Sequence, residues 1–304
     1  MSVVWNKNRN IYDIERRKTH FNYKTVWTDD KYNANSNGTK LLAKIMPDSG
    51  FTFPKSLYTV LECVKAATLD DKEAIVLDFF SGSATTPHAV MQMNAEDGGK
   101  RKFIAVQLPE DLDESLESAV GETKKSLQKS ITFLSKLGKV HKLTEIGKER
   151  IRRAGVQIKE ENPLLAQDID IGFRVFKLDN SNMKDVYYSA EEYSQDLLSR
   201  MESNVKSDRT DLDLLFGCLL EWGLPLSLPY SSEKIEGYTV HNYNDGDLIA
   251  CFDENIPDSV IKAIAKQQPL RAVFRDSSFA GSPSKINVGE IFKLMAPDTT
   301  VKVI

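Results

Sequence analysis

One segment constrains the fold of this 304-residue chain more than any other: the apolar run 76–80 (VLDFF), followed at once by the small residues 81–86 (SGSATT). The first run predicts a buried strand that ends at Asp78, and the second predicts a tight turn that begins a helix. Glycine and serine let a ligand approach the backbone, and the N–H groups at a helix start favour an anionic group. The segment predicts an α/β fold with a candidate ligand site, although a βα turn that binds nothing is an equal alternative.

The neighbouring segments extend this candidate site. Asp78 ends its strand, and open α/β sheets bind ligands at the carboxyl ends of their strands, so its carboxylate is placed to accept from an ammonium or hydroxyl group. Upstream, residues 51–57 (FTFPKSL) precede a helical pattern at Leu57, Val60, Leu61 and Val64. Pro54 and Ser56 could equally form an extended entry and a helix cap without any ligand. Downstream, residues 101–110 predict a second buried strand that ends near Gln107.

Together the three segments resemble the S-adenosyl-L-methionine-dependent DNA amino-methyltransferases. The turn resembles their Asp-x-Phe-x-Gly-Ser-Gly-Thr-Thr cofactor motif, with Ala84 in place of a glycine, which adds a methyl group where the backbone should be most open. Residues 51–57 resemble their Pro-Lys motif, and Gln107 stands where relatives place an acid for the ribose, with Glu110 as the alternative. The resemblance implies that the following residues bind S-adenosyl-L-methionine: Phe53, Lys55, Asp78, Phe79, Phe80, Ser81, Gly82, Ser83, Ala84, Thr85, Thr86 and Gln107.

A narrower resemblance points to the modification subunits of type III restriction-modification systems, which are β-type DNA adenine methyltransferases. It covers nearly the whole chain through residues 107–110, 145–155, 170–179, 181–183, 273–279 and 285–287. It implies a cytoplasmic protein that acts on double-stranded DNA together with a restriction (helicase-nuclease) subunit. Adenine is preferred over cytosine only through this resemblance, because both exocyclic amines suit the same chemistry.

The catalytic tetrapeptide of these enzymes, Asp-Pro-Pro-Tyr or Asn-Pro-Pro-Tyr, is absent, because the sequence contains no Pro-Pro pair. The nearest match, residues 228–230, is interpreted as a loop. In the β-type order the tetrapeptide would lie upstream of Met1, so we expect the carboxyl-terminal portion of a longer subunit, with cofactor residues but no catalytic residues. The alternative is a non-catalytic assembly or DNA-binding module with a vestigial pocket. Without its neighbour the strand at Asp78 would be an unpaired edge, which predicts self-association, coverage by the amino-terminal segment, or local disorder.

Composition and charge limit the classes of protein to which this chain could belong. The hydrophobic content of 41% supports a sizeable core, and no apolar run reaches membrane-spanning length. Three isolated cysteines and four histidines without ligand spacing predict neither disulfides nor a metal site. The net charge is −4, yet residues 121–153 carry ten Lys or Arg against three Glu. That stretch is either a DNA-facing surface or a solvated helix face. We interpret His88 as a packing or capping residue.

The sequence predicts three regions. Residues 1–45 are predicted to be loop-rich and would be the tail of the recognition region with its linker. Residues 46–157 would form a partial Rossmann-like methyltransferase sheet, and residues 158–304 a second, smaller α/β domain. In the last region we predict strands at 173–178, 238–242, 248–252, 271–274 and 301–304, and helices at 190–202, 212–221, 259–266 and 288–295. Asp245-Gly246 predicts a hairpin turn.

Overall fold

The protein is a mixed α/β chain, seen in a computed structural model that describes residues 2–6, 9–15, 25–161, 163, 169–184, 205–279 and 281–304. It divides into two compact units, residues 1–173 and 174–304. Each unit has its own sheet and core. The predicted helix at 190–202 lies outside the described residues.

The first unit contains four strands and six α-helices among its described residues. The strands are β1 (Ser2–Asn6), β2 (Ile11–Glu15), β3 (Ile75–Asp78) and β4 (Lys102–Ala105). The helices are α1 (Leu41–Ile45), α2 (Leu57–Thr68), α3 (Thr85–Asp97), α4 (Leu112–Ser118), α5 (Gly121–Lys136) and α6 (Leu143–Glu161). Helix α2 buries Leu57, Leu61 and Val64, as the sequence predicted, and it packs on α3.

The amino-terminal region is more structured than the loop-rich segment that the sequence predicted. β1 and β2 form an antiparallel hairpin in which Trp5 faces Tyr12, with their ring centroids 4.8 Å apart. Such cross-strand aromatic pairs stabilise hairpins independently of any hydrophobic periodicity. A 3₁₀ turn (Asp30–Tyr32) and a π-helical turn (Asn35–Lys40) lead into α1, which buries Leu42.

A small parallel sheet contains the strand that ends at Asp78. β3 pairs in parallel with β4, from Ile75 opposite Lys102 to Asp78 opposite Ala105. Val76 packs towards α3, whereas Ile75 and Leu77 on the other face are 64% and 59% exposed. Among the described strands β3 pairs with β4 alone, so the predicted unpaired edge is present. Parallel strands are normally covered on both faces, and this pair is covered on one.

The second unit is built on a mixed five-stranded sheet in the order β5-β6-β7-β8-β9. Its strands are β5 (Tyr230–Ile235), β6 (Tyr238–Tyr243), β7 (Leu248–Cys251), β8 (Arg271–Phe274) and β9 (Thr300–Val303). Its helices are α7 (Asp211–Glu221), α8 (Asp258–Lys266) and α9 (Ser282–Met295). The first three strands are antiparallel and the last three are parallel.

Most predicted elements of the second unit are confirmed, including the turn at Asp245-Gly246 between β6 and β7. The predicted strand at 173–178 is wrong. The segment is not a strand in the structure, and its apolar side chains form no buried face, because Phe173 joins the cluster beside α6 whereas Val175, Phe176 and Leu178 are all more than half exposed. The segment 228–230, interpreted as a loop, leads directly into β5, which the sequence did not predict.

Candidate functional site

The carboxylate of Asp78 is held in a fixed orientation at the end of β3. Its Oδ2 accepts a hydrogen bond from Thr86 Oγ1 at 2.6 Å, and its Oδ1 accepts from the Phe80 N–H at 3.3 Å. The residue is partly exposed. Each carboxylate oxygen has a further lone pair, so the group can still accept from a ligand's hydroxyl or ammonium. The structure therefore brings together Asp78 and Thr86, two of the residues that the sequence proposed for the site.

The backbone of the turn presents the start of α3. Gly82 and Ala84 both adopt left-handed conformations, with φ of 50° and 59°. The N–H of Ser81 donates to the Val106 carbonyl at 3.1 Å, and that of Ala84 donates to the Ser81 carbonyl at 2.7 Å. Ala84 occupies the N-cap position of α3 and supplies no side-chain cap. The first N–H groups of the helix therefore suit an anionic partner.

Gln107 closes the turn from the neighbouring strand. Its Oε1 accepts from the Gly82 N–H at 2.8 Å, and its Nε2 donates to its neighbour's carbonyl, Leu108 O, at 3.4 Å. The predicted site residue thus lies at the turn, where its amide braces the backbone. Glu110, the alternative, accepts instead from Ser115 Oγ at 2.9 Å.

Ala84 does not obstruct the turn in the way that the sequence suggested. Its side chain is 2% exposed and joins a cluster with Met91, Ile151 and Ala154. A methyl group added at Gly147 of α6 would lie 3.5 Å from the Ala84 Cβ. The methyl group is therefore buried against α6. A left-handed alanine costs roughly 1–2 kcal/mol, which this burial partly offsets.

Behind the turn lies Arg150 of α6, which is fully buried at 0% exposure. Its Nη1 donates to Thr85 Oγ1 at 2.7 Å, to Ser83 Oγ at 2.9 Å and to the Ser83 carbonyl at 3.3 Å. The side chains of Ser83 and Thr85 are themselves buried. These two predicted site residues thus turn their hydroxyls towards Arg150, so only their backbone is available to a ligand.

The buried histidine next to this arginine is neutral. His88, in the first turn of α3, is 4% exposed, and its Nδ1 has no hydrogen-bond partner among the described residues. Burial, together with the charge of Arg150, lowers the pKa of His88 to about 3. Burial lowers the pKa of Arg150 to about 10, so it keeps its charge at neutral pH. His88 is a packing residue, as the sequence predicted.

The aromatic residues around the turn are exposed. Phe79 and Phe80 are 62% and 76% exposed and form a T-shaped pair with centroids 5.7 Å apart. Phe53 and Lys55 are exposed too, and no hydrogen bond or ion pair joins them to the turn among the described residues. From that segment it is Phe51 that reaches the turn, because a methyl group at Gly82 would lie 3.6 Å from its Cζ.

Sequence reasoning missed three residues of this site: Phe51, Gly147 and Arg150. A signal for Arg150 was present, because Ile146, Arg150, Ala154 and Ile158 recur at intervals of four and are all buried on one face of α6. Arg150 also falls within the basic stretch 121–153, whose charges alone predict an exposed side chain.

The basic stretch 121–153 is partly neutralised in the structure. Lys125 pairs with Glu122 at 2.7 Å, Arg153 pairs with Glu149 at 2.7 Å, and Lys148 pairs with Glu145. Arg150 is buried, so it cannot contact phosphate. Four lysines remain exposed on or just after α5: Lys124, Lys129, Lys136 and Lys139. A DNA-facing surface and a solvated helix face therefore both stay predictions for this stretch.

The described residues offer neither a metal site nor a membrane-spanning helix. They contain no group of three or more His, Cys, Asp or Glu residues placed to hold a metal ion. In the same ranges no helix combines the length and apolar content needed to cross a membrane.

The region that contains this site is similar to known proteins. A family model described as DNA methylase matches residues 3–136. The StyLTI Mod subunit, a type III restriction-modification enzyme subunit of Salmonella typhimurium (strain LT2), is 34% identical over 148 residues, which cover 49% of this chain and 20% of that protein.

Two further Mod subunits of type III restriction-modification enzymes match over most of the chain. The EcoPI subunit of Escherichia phage P1 is 26% identical over 266 residues, covering 86% of this chain and 35% of that protein. The EcoP15I subunit of Escherichia coli is 26% identical over 277 residues, covering 87% and 37%. The chain thus spans a fifth to two fifths of the length of these curated relatives.

Proposed function

We propose, from the similarity of this chain to the modification subunits of type III restriction-modification enzymes, that it supplies the methyl-donor site of a DNA adenine methyltransferase. The observation that supports this most directly is the turn from Asp78 to Thr86, with a fixed carboxylate at one end and an uncapped helix start at the other. In this proposal residues 46–157 belong to a Rossmann-like methyltransferase fold. Residues 1–45 are the end of the recognition region and its linker, and 158–304 a carboxyl-terminal domain.

The chemistry of the turn fits S-adenosyl-L-methionine. Asp78 can accept hydrogen bonds from the hydroxyl or ammonium groups of the ligand. The N–H groups at the start of α3 suit the carboxylate of the ligand. The exposed rings of Phe79 and Phe80 offer apolar surface to the adenine. By resemblance, Phe53 and Lys55 would close over the methionine end and Gln107 would hold the ribose. When bound, the cofactor supplies an electrophilic methyl group.

The proposal assigns donor binding to this chain but not methyl transfer. The exocyclic amine of a base is a poor nucleophile, so the flipped base needs hydrogen-bond acceptors placed at that amine. By resemblance, an Asp-Pro-Pro-Tyr or Asn-Pro-Pro-Tyr tetrapeptide would fill this role, whereas these 304 residues contain no Pro-Pro pair. We expect double-stranded DNA and the restriction subunit to be partners of the complete subunit, in the cytoplasm.

Calorimetric titration of the chain with S-adenosyl-L-methionine tests the proposal. We expect binding that Asp78→Ala abolishes and that Asp70→Ala leaves unchanged, since Asp70 is exposed at the end of α2, in the same unit. Equal binding by the Asp78 variant would place the ligand elsewhere. Methyl transfer to DNA by the chain alone would contradict the division between donor binding and catalysis.

A second candidate is a non-catalytic assembly or DNA-binding module whose cofactor pocket is vestigial. The uncovered apolar face of β3 and β4 favours it, because Ile75, Leu77 and Ile104 are all more than half exposed. A chain that binds no S-adenosyl-L-methionine at high concentration, but associates with itself, with the restriction subunit or with DNA, would support this candidate over the first.

A further inference from the structure

The turn at Asp78–Thr86 has a buried positive charge directly behind it. Arg150 holds the turn at both hydroxyls and at the carbonyl of Ser83, through a single nitrogen, Nη1. Helix α6 comes close enough for this contact because Gly147 has no side chain, and a Cβ there would lie 3.3 Å from the Gly82 carbonyl oxygen. The guanidinium is therefore fixed against the backbone that begins α3.

No carboxylate among the described residues offsets the charge of Arg150. Its Nε and Nη2 are buried without a hydrogen-bond partner among the described residues. In the same residues no carboxylate lies within ion-pair distance of it, and the adjacent His88 is neutral. An unpaired buried cation is costly, and an anion bound nearby would reduce that cost. The helix start that Arg150 contacts through Ser83 and Thr85 is a surface that can take such an anion.

We propose that Arg150 is a positioning residue that gives this turn its preference for the carboxylate of the methyl donor. It orients the Ser83–Thr85 backbone and adds a positive charge behind the N–H groups of α3. Both effects favour a negative ligand group on the open side of the turn, because opposite charges attract strongly where water is excluded. This inference rests on the proposed function, since it concerns the same donor site.

Binding of two ligands distinguishes this electrostatic role from a purely structural role, in which Arg150 only holds the conformation of the turn. S-adenosyl-L-methionine carries the carboxylate, whereas its decarboxylated analogue keeps the adenosine, the sulfonium and the amine. If Arg150 were only structural, its loss would weaken the binding of both ligands equally. Loss of the charge would weaken only the ligand with the carboxylate. The measurement is the ratio of the two dissociation constants, obtained by calorimetry.

The variants are Arg150→Met, which is neutral and of similar length, and Arg150→Lys. The lysine keeps the positive charge but lacks the planar guanidinium group with its several N–H donors. Arg152→Met is the matched control, since Arg152 lies on the same helix and is partly exposed. We expect Arg150→Met to weaken S-adenosyl-L-methionine about tenfold or more and to leave the analogue within about twofold. The lysine variant should keep the wild-type ratio, and the control should change neither constant.

Two results would overturn the proposal. The first is an unchanged ratio of the two dissociation constants in Arg150→Met, whether both ligands are weakened equally or neither is weakened, and the second is loss of the wild-type ratio in Arg150→Lys. If circular dichroism shows that Arg150→Met does not fold, the lysine variant alone decides the question. Wild-type chain that binds neither ligand would overturn the proposed function, and this inference with it. Wild-type chain that binds both equally would overturn only the inference.

Discussion

Acidification should destabilise this protein through His88 in particular. In the folded chain the ring is buried beside Arg150, and its pKa is lowered from 6.5 to about 3. In the unfolded chain the ring takes its ordinary pKa. Between these two values the unfolded state binds a proton that the folded state cannot, so stability falls as pH decreases below about 6.5.

The magnitude follows from the size of the shift. One pH unit of unbalanced proton uptake is worth about 1.4 kcal/mol, so lowering the pH from 7 to 5 should cost about 2 kcal/mol at this residue. For a unit of this length that corresponds to a drop of about 4–8 °C in the melting temperature.

His88→Leu isolates this contribution because it removes the titrating ring at similar volume. Its free energy of unfolding should equal or exceed that of the wild type near pH 7, since Nδ1 has no partner among the described residues. Near pH 5 the variant should be about 2 kcal/mol more stable, relative to wild type, than it is near pH 7.

Urea unfolding followed by circular dichroism at both pH values measures the difference. Met91→Leu, a buried and non-titrating change on the same helix, is the control and should follow the wild type. Parallel loss of stability in His88→Leu and wild type would refute the reasoning, because it would show that the ring is not held neutral.

Three further predictions concern the first unit. Gly50→Ala should cost about 2 kcal/mol or more in urea unfolding, because its Cβ would lie 2.3 Å from a main-chain oxygen at a φ of 68°. Gly98→Ala, at a φ of 67° with open space around it, should lower stability by less. Equal losses of stability in the two variants would contradict a steric clash at Gly50. Burial raises the pKa of Asp97, but hydrogen bonds from Arg101 and the backbone outweigh it and lower the pKa overall. Stability from this carboxylate is present above the ordinary pKa of aspartate and is lost as pH falls through the lowered value. Asp97→Asn should therefore lack that acid-induced loss, and equal acid slopes would contradict it. Leu77→Lys should reduce self-association in sedimentation velocity, because Leu77 is 59% exposed on the open sheet face. Unchanged association would exclude that face as the contact.

The sequence by itself determined the elements whose causes are local. The strand that ends at Asp78, the turn at Gly82 and the helix at Leu57 follow from periodicity and from small residues, which act over a few positions. The order of these motifs also indicated the resemblance to DNA methyltransferases, and the chain is similar to a DNA methylase family model and to a type III Mod subunit. The predicted roles of the site residues in cofactor binding stay predictions.

Only the tertiary structure decided what lies around those motifs. The strand predicted at 173–178 fails because the segment pairs with none of the described strands, and alternation alone does not identify a partner. The direction of the Ala84 methyl group depends on Gly147, which lies far along the chain. Arg150 illustrates the same limit: its charge could be read from the sequence as a surface feature. Its burial behind the turn depends on a contact across 67 residues, and no local pattern encodes a contact at that separation.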